Sequence, residues 1–141
     1  MLDLKALLAK ILNHINNVGN WITDIPSAVS CGTAKFYKIA SVTLTAGTWI
    51  IFTCGNFPAT NATGYRDIYT TTTDFTNGVT TGPANYAFIT RLVIPAGNYA
   101  QVLNASFPVK ISSQTTFYLV GHQNSGSTMS VTGRMYAVRI K

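Results

Sequence analysis

Two hydrophobic periods divide this chain. Near its start, apolar side chains recur at Leu4, Leu8, Ile11, Ile15, Val18, Ile22 and Ile25, spaced alternately four and three apart. That spacing is the seam of a coiled-coil helix. Asp3 is placed to cap the first turn by accepting an orphan amide proton. Asn16-Asn17 and Gly19-Asn20 weaken the helix, and Ile25-Pro26 stops what remains, so regular helix is expected from residue 2 to about residue 18. A helix this short is marginal alone and needs a partner surface. Ile11 and Ile15 at adjacent seam positions favour three or four strands over two, and Leu7 and Leu12 widen the stripe. Self-association through Leu4, Leu8, Ile11, Ile15 and Val18 is therefore expected, in preference to an amphipathic helix lying on its own domain.

From Cys31 onward the period becomes two, and the punctuation becomes Gly, Pro and Asn. Strands are expected at 36–45, 48–54, 65–71, 86–94, 98–104, 107–112, 115–122 and 128–140, with tight turns at Thr45-Ala46-Gly47 and Pro95-Ala96-Gly97 and longer loops at 55–64 and 72–85. Such a run of short strands without helices predicts an all-β, antiparallel jelly-roll sandwich over residues 31–141, preceded by a short N-terminal coiled-coil helix and linker over residues 1–30. Trp49-Ile50-Ile51-Phe52 and Phe117-Tyr118-Leu119-Val120 are apolar on both alternating faces. One face packs in the core; the other needs a loop, the helix or another subunit. Subunit contact is the economical reading, which adds Trp49, Ile51, Phe117, Tyr118 and Val120 to the residues expected to form a trimer.

Composition narrows the chemistry. Only 10% of the residues are charged, against about 25% in an average soluble protein. There is no Glu, and the acids are Asp3, Asp24, Asp67 and Asp74. Glycoside hydrolysis needs two carboxyl groups roughly 5–10 Å apart. Asp67 and Asp74 are the only pair near one loop, and an extended chain would hold them about 23 Å apart. They read as solvated turn aspartates. His122, Ser125 and Asp74 make a triad on paper, but no Gly-x-Ser-x-Gly elbow accompanies them; His122 is expected to end a strand and Ser125-Gly126 to form its turn. His14, His122, Cys31 and Cys54 lack metal-ligand spacing, so no metal and no cofactor are expected, and the cysteines read as free thiols with Cys54 in the core. The chain is expected not to be an enzyme.

The net charge of +6 comes from missing acids, because the ten basic residues are scattered rather than clustered. Nucleic acid is not an expected partner. No apolar run approaches the ~20 residues of a membrane-spanning helix, and Asp3, Lys5, Lys10, Asn13 and His14 interrupt any signal-peptide core. Synthesis in a bacterial host cytoplasm without membrane insertion is the expectation.

The end of the chain carries a resemblance. Thr116-Phe117-Tyr118-Leu119-Val120-Gly121-His122-Gln123-Asn124-Ser125-Gly126, then Val131-Thr132-Gly133 and Tyr136-Ala137-Val138-Arg139-Ile140, resembles the last strands of the tumour-necrosis-factor-like or complement-like jelly-roll heads of phage tail and head fibres. Ser41-Val42-Thr43-Leu44-Thr45-Ala46-Gly47-Thr48-Trp49 resembles their early strand and glycine turn. The resemblance runs from about residue 36 to residue 141. It implies a ten-stranded head trimerised about an apolar axis, attachment to a host surface and residence in the virion; the short stalk departs from a whole fibre. A head of this kind would meet a cell-surface glycan or protein and other virion proteins. Thr-, Asn- and Tyr-rich loops suit saccharide, and strand counting places 72–85 and 123–127 at the far end from the stalk. Asp74, Asn77, Asn85, Tyr86, His122, Asn124 and Ser125 are then the candidate receptor residues. A count off by one would bring loop 55–64, with Tyr65 and Arg66, into that place instead. Two alternatives stand beside this reading: a capsid or tail decoration without its own receptor, and a small polysaccharide-degrading enzyme.

Overall fold

A computed structural model describes residues 4–17, 21–59, 63–76, 78–84, 86–94 and 100–141. Its elements in chain order are α1 (Leu4–Asn17), β1 (Trp21–Asp24), β2 (Val29–Cys31), β3 (Lys35–Leu44), β4 (Gly47–Phe57), β5 (Gly64–Thr71), β6 (Tyr86–Ile94), β7 (Gln101–Ile111), β8 (Thr115–Gln123) and β9 (Met129–Arg139). The strands form two antiparallel sheets, ordered β1-β9-β4-β7, with β2 also on β9, and β3-β8-β5-β6. Chain direction passes back and forth between the sheets, and the fold is the expected jelly-roll sandwich.

Strand alternation fills the space between the sheets. Trp49, Ile51 and Phe57 of β4, with Met135 and Ala137 of β9, meet Ile39 and Val42 of β3, Ile68 of β5, and Phe117 and Leu119 of β8. The sheets come close together at glycines: a Cβ on Gly55 would lie 2.6 Å from Ile68, and one on Gly133 would lie 2.6 Å from Ile39.

Three expectations need correction. Residues 98–104 and 107–112 are not two strands; β7 pairs with β4 without a break from Gln101↔Phe57 to Ile111↔Gly47. Pro108 interrupts nothing because β7 is a sheet edge, where a missing amide proton costs no ladder bond. Secondly, the stretch read as helix tail and linker contains β1 and β2, both paired with β9. The Asp24 carboxylate also accepts the Ser41 backbone N–H at 2.7 Å, tying β1 to the other sheet. The sandwich thus starts about ten residues earlier than residue 31.

The third concerns cover. Trp49, Ile51, Phe117 and Val120 are buried inside the single chain and cannot face a second subunit. For β8 the second apolar face is covered by the chain itself: Phe75 packs with Phe36, Tyr69 and Val120, and Tyr118 lies against them. Segment 72–84 is pinned there by Lys38 N–H to the Phe75 carbonyl and by paired bonds between Phe36 and Val79. It is not a free distal loop. It leaves β5 at the end of the sandwich where β1 begins, and runs back along β3.

Among the described residues, two apolar surfaces are not covered. On α1, Leu8 is 56% and Ile11 46% exposed, with Leu7 and Leu12 similar. Leu4 and Ile15 lie in α1 but their side chains, like Asp3 and Val18, are outside the described set. On the outer face of the β1-β9-β4-β7 sheet, Ile50, Phe52, Tyr136 and Val138 are half-buried, and Phe52 stacks on Tyr136 at 5.0 Å.

Candidate functional site

The register aligns one residue from each strand of the β3-β8-β5-β6 sheet into a single row: Phe36, His122, Asp67 and Arg91. All four point away from the main core, in phase with Tyr65 and Tyr69. Arg66 and Ile68 point the other way, Arg66 against the Phe57 ring. In a chain with so few acids, a strand carrying charge on both faces is unusual, and Asp67 is fully buried.

The carboxylate is saturated. Oδ1 of Asp67 accepts Arg91 Nε at 2.7 Å; Oδ2 accepts Arg91 Nη2 at 2.9 Å and the Tyr69 hydroxyl at 3.1 Å. His122 Nδ1 lies 3.2 Å from Oδ2, and since a carboxylate can only accept, that nitrogen carries the proton. Burial pushes the Asp67 pKa up, but the hydrogen bonds from His122 and Arg91 and the Arg91 charge outweigh it and hold the carboxyl below its ordinary value. Burial, then the adjacent Asp67 charge, pushes the Tyr69 phenol up to about 12. The bond to Asp67 raises the already high pKa of Arg91.

Above the carboxylate lies a continuous stack. Phe36 and His122 are parallel with centroids 4.1 Å apart, Tyr65 lies 5.4 Å from His122, and the Arg91 guanidinium sits 4.6 Å from the Tyr65 ring centre. The Arg91 end is open, its side chain 51% exposed. This end lies toward the pole opposite the start of β1, where the Asn124 N–H bonds the Tyr65 carbonyl. Among the described residues no group of three metal-ligating side chains occurs, and no helix is long and apolar enough to cross a membrane.

The residues expected to meet a receptor are not gathered in one patch. His122 and Ser125 are buried and cannot touch a macromolecule. His122 is held as described. Ser125 is consumed inside the 124–128 turn, where its N–H and hydroxyl both donate to Gln123 Oε1, while Gln123 Nε2 donates to the Cys31 and Ser127 carbonyls. Asn124 is exposed at the far pole. Asp74 is exposed too, but on the β3 flank, where it bonds Lys38 at 3.2 Å and closes a turn with Thr76. Asn77 and Asn85 lie outside the described residues, as does the Tyr86 side chain. The poles fall as strand counting expects for 123–127; the end of β4 and the start of β5 share that pole. The cysteine assignment reverses: Cys31 is the core thiol, pushed up to about 12 by burial, and Cys54 is half-buried on the outer face.

No protein-family model and no curated protein matches the sequence. Solved structures do. Two from infectious bursal disease virus, the Gx strain and the T13 particle, match with TM-scores of 0.51 and 0.52 over 85% and 86% of this chain, at 11% and 10% identity. This chain spans about a third of the length of each, 32% and 31%. Eiger, a tumour necrosis factor of S. frugiperda, is similar over 86% of this chain and 93% of its own, with a TM-score of 0.46 and 7% identity. What the two viral structures share with this chain is the fold, an antiparallel jelly-roll sandwich.

Proposed function

We propose that this chain is a structural protein of a virus particle: a homotrimeric phage-type fibre head on a short helical stalk, binding a host cell-surface saccharide or protein. The observation that carries this reading is the stripe of Leu7, Leu8, Ile11 and Leu12, exposed on α1 while the sandwich completes its own core. Burying each such side chain is worth about 1.5–3 kcal/mol, and a helix of this length is marginal without that gain. The half-buried apolar face of the β1-β9-β4-β7 sheet offers the head a matching surface. A trimer presents three copies of one weak site, so avidity can exceed single-site affinity by about 10²–10⁴. Virion proteins are its other partners, and the role requires no catalysis.

A second reading, a capsid or tail decoration without its own receptor, draws support from the viral structures that share the fold. Labelled protein incubated with a panel of bacterial cells separates the two. Attachment predicts saturable binding that collapses when Leu8→Lys and Ile11→Lys break the oligomer. Absence of binding across the panel would overturn attachment and leave the decoration.

A further inference from the structure

The buried row has a feature that a purely structural ion pair does not need: its cation is presented to solvent. A guanidinium offers two parallel donor pairs, one along Nε and Nη2, the other along Nη1 and Nη2. Asp67 takes the first at 2.7 and 2.9 Å. The Tyr69 hydroxyl also bonds the guanidinium, and the side chain is still 51% exposed. Asp67 cannot be rearranged to serve a ligand itself, since it is fully buried and also holds His122 and Tyr69. With Tyr65 packed against its face, Arg91 is fixed on two sides before anything binds. The rotamer entropy that a free surface arginine loses on binding is already spent here.

We infer that Arg91, backed by Tyr65 and anchored by Asp67, is the contact point for an oxyanion, the carboxylate or phosphate of an acidic cell-surface glycan. The end-on edge of a guanidinium matches two oxygens of such a group, and charge-assisted pairs of this kind are roughly twice as strong as neutral ones. A donor-only edge has nothing to accept from sugar hydroxyls, so acceptor-rich acidic sugars are favoured over neutral ones. The absence of Glu and the net charge of +6 leave little to repel an anion on approach. The site sits on the sheet opposite the exposed apolar face, toward the pole away from the start of β1, and stays open when that face is covered. This inference rests on the attachment reading and names the ligand class for it.

The test is calorimetric titration of the full chain with three probes: a galacturonate oligomer, its neutral methyl ester, and a glycerol-phosphate oligomer. The site predicts binding of one or both acidic probes at least tenfold tighter than the ester. The carboxylate and phosphate arms identify the source. Arg91→Lys keeps the charge but removes the paired donors, and should weaken that binding at least tenfold with the thermal transition monitored for folding. Lys110→Gln with Lys141→Gln removes two charges elsewhere and should leave it within twofold. A loss in the Lys110→Gln, Lys141→Gln variant with none in Arg91→Lys would reduce the effect to net charge and overturn the site, as would failure of both acidic probes to bind. Cell binding that persists in Arg91→Lys would overturn the site while leaving attachment intact; cell binding absent in the unmodified protein would overturn attachment itself.

Discussion

Replacing Asp67 by Asn perturbs one atom in a fully buried group, so its consequences can be worked through. The carboxylate accepts from His122 Nδ1 and from the Tyr69 hydroxyl, both buried donors. Hydrogen bonds to a charged group contribute about 1.5–3 kcal/mol each. The amide retains one acceptor oxygen, so part of that is kept, but its NH2 must face either Arg91 or one of these donors. Arg91 is half exposed and regains water, which limits its share to about 1 kcal/mol. The expected loss at pH 7 is roughly 3–5 kcal/mol, a large part of the ~5–15 kcal/mol available to a domain. Urea unfolding at one fixed protein concentration should show a lower midpoint with unchanged slope. The pH dependence follows from the sign of the shift. Because the folded Asp67 carboxyl is held below its ordinary value, its stabilisation is present above the unfolded value of ~3.9 and fades as pH falls through the lower, folded value. The gap between the native protein and Asp67→Asn should close in that acidic range. A loss under 1 kcal/mol at pH 7, or a gap that does not change with pH, would refute the account of this row.

Arg91→Gln should cost as much as Asp67→Asn or more at pH 7, since it strands a buried carboxylate, and acid should relieve it by protonating Asp67; parallel urea series at pH 7 and 3.5 check the crossover. Phe75→Ala should cost about 3 kcal/mol by removing the cover of the second apolar cluster, and should open segment 72–84 to limited proteolysis at Thr72–Thr73, read by mass spectrometry. In native protein at pH 8, a maleimide should label Cys54 and leave Cys31, whose thiol is buried with its pKa near 12; labelling of Cys31 before unfolding would contradict its place in the core.

The sandwich was legible because β9 alternates clearly, β4 and β8 are rich in aromatic and β-branched residues, and the turns carry Gly and Asn. β1 was hidden because Ile22 continues the helical spacing, and four residues of strand have no period of their own; its anchors are the distant Ala137 and Ser41. Pro108 masked the continuity of β7, because edge position is a property of the sheet order and not of the local sequence. The two-faced run in β8 did signal a second cover, but which segment supplies it depends on how 72–84 folds back, a long-range outcome. The Asp67 row had one local sign, a charged residue in phase with Tyr65 and Tyr69. Its partners His122 and Arg91 lie 55 and 24 residues away and are joined to it by register alone.

Self-association through α1 is the claim on which the rest depends. Light scattering on a size-exclusion column measures it directly, using the full chain and the Leu8→Lys, Ile11→Lys variant side by side. The account predicts three times 15.2 kDa for the unmodified protein and 15.2 kDa or a concentration-dependent mixture for the variant. A single 15.2 kDa species for the unmodified protein across micromolar concentrations would contradict it.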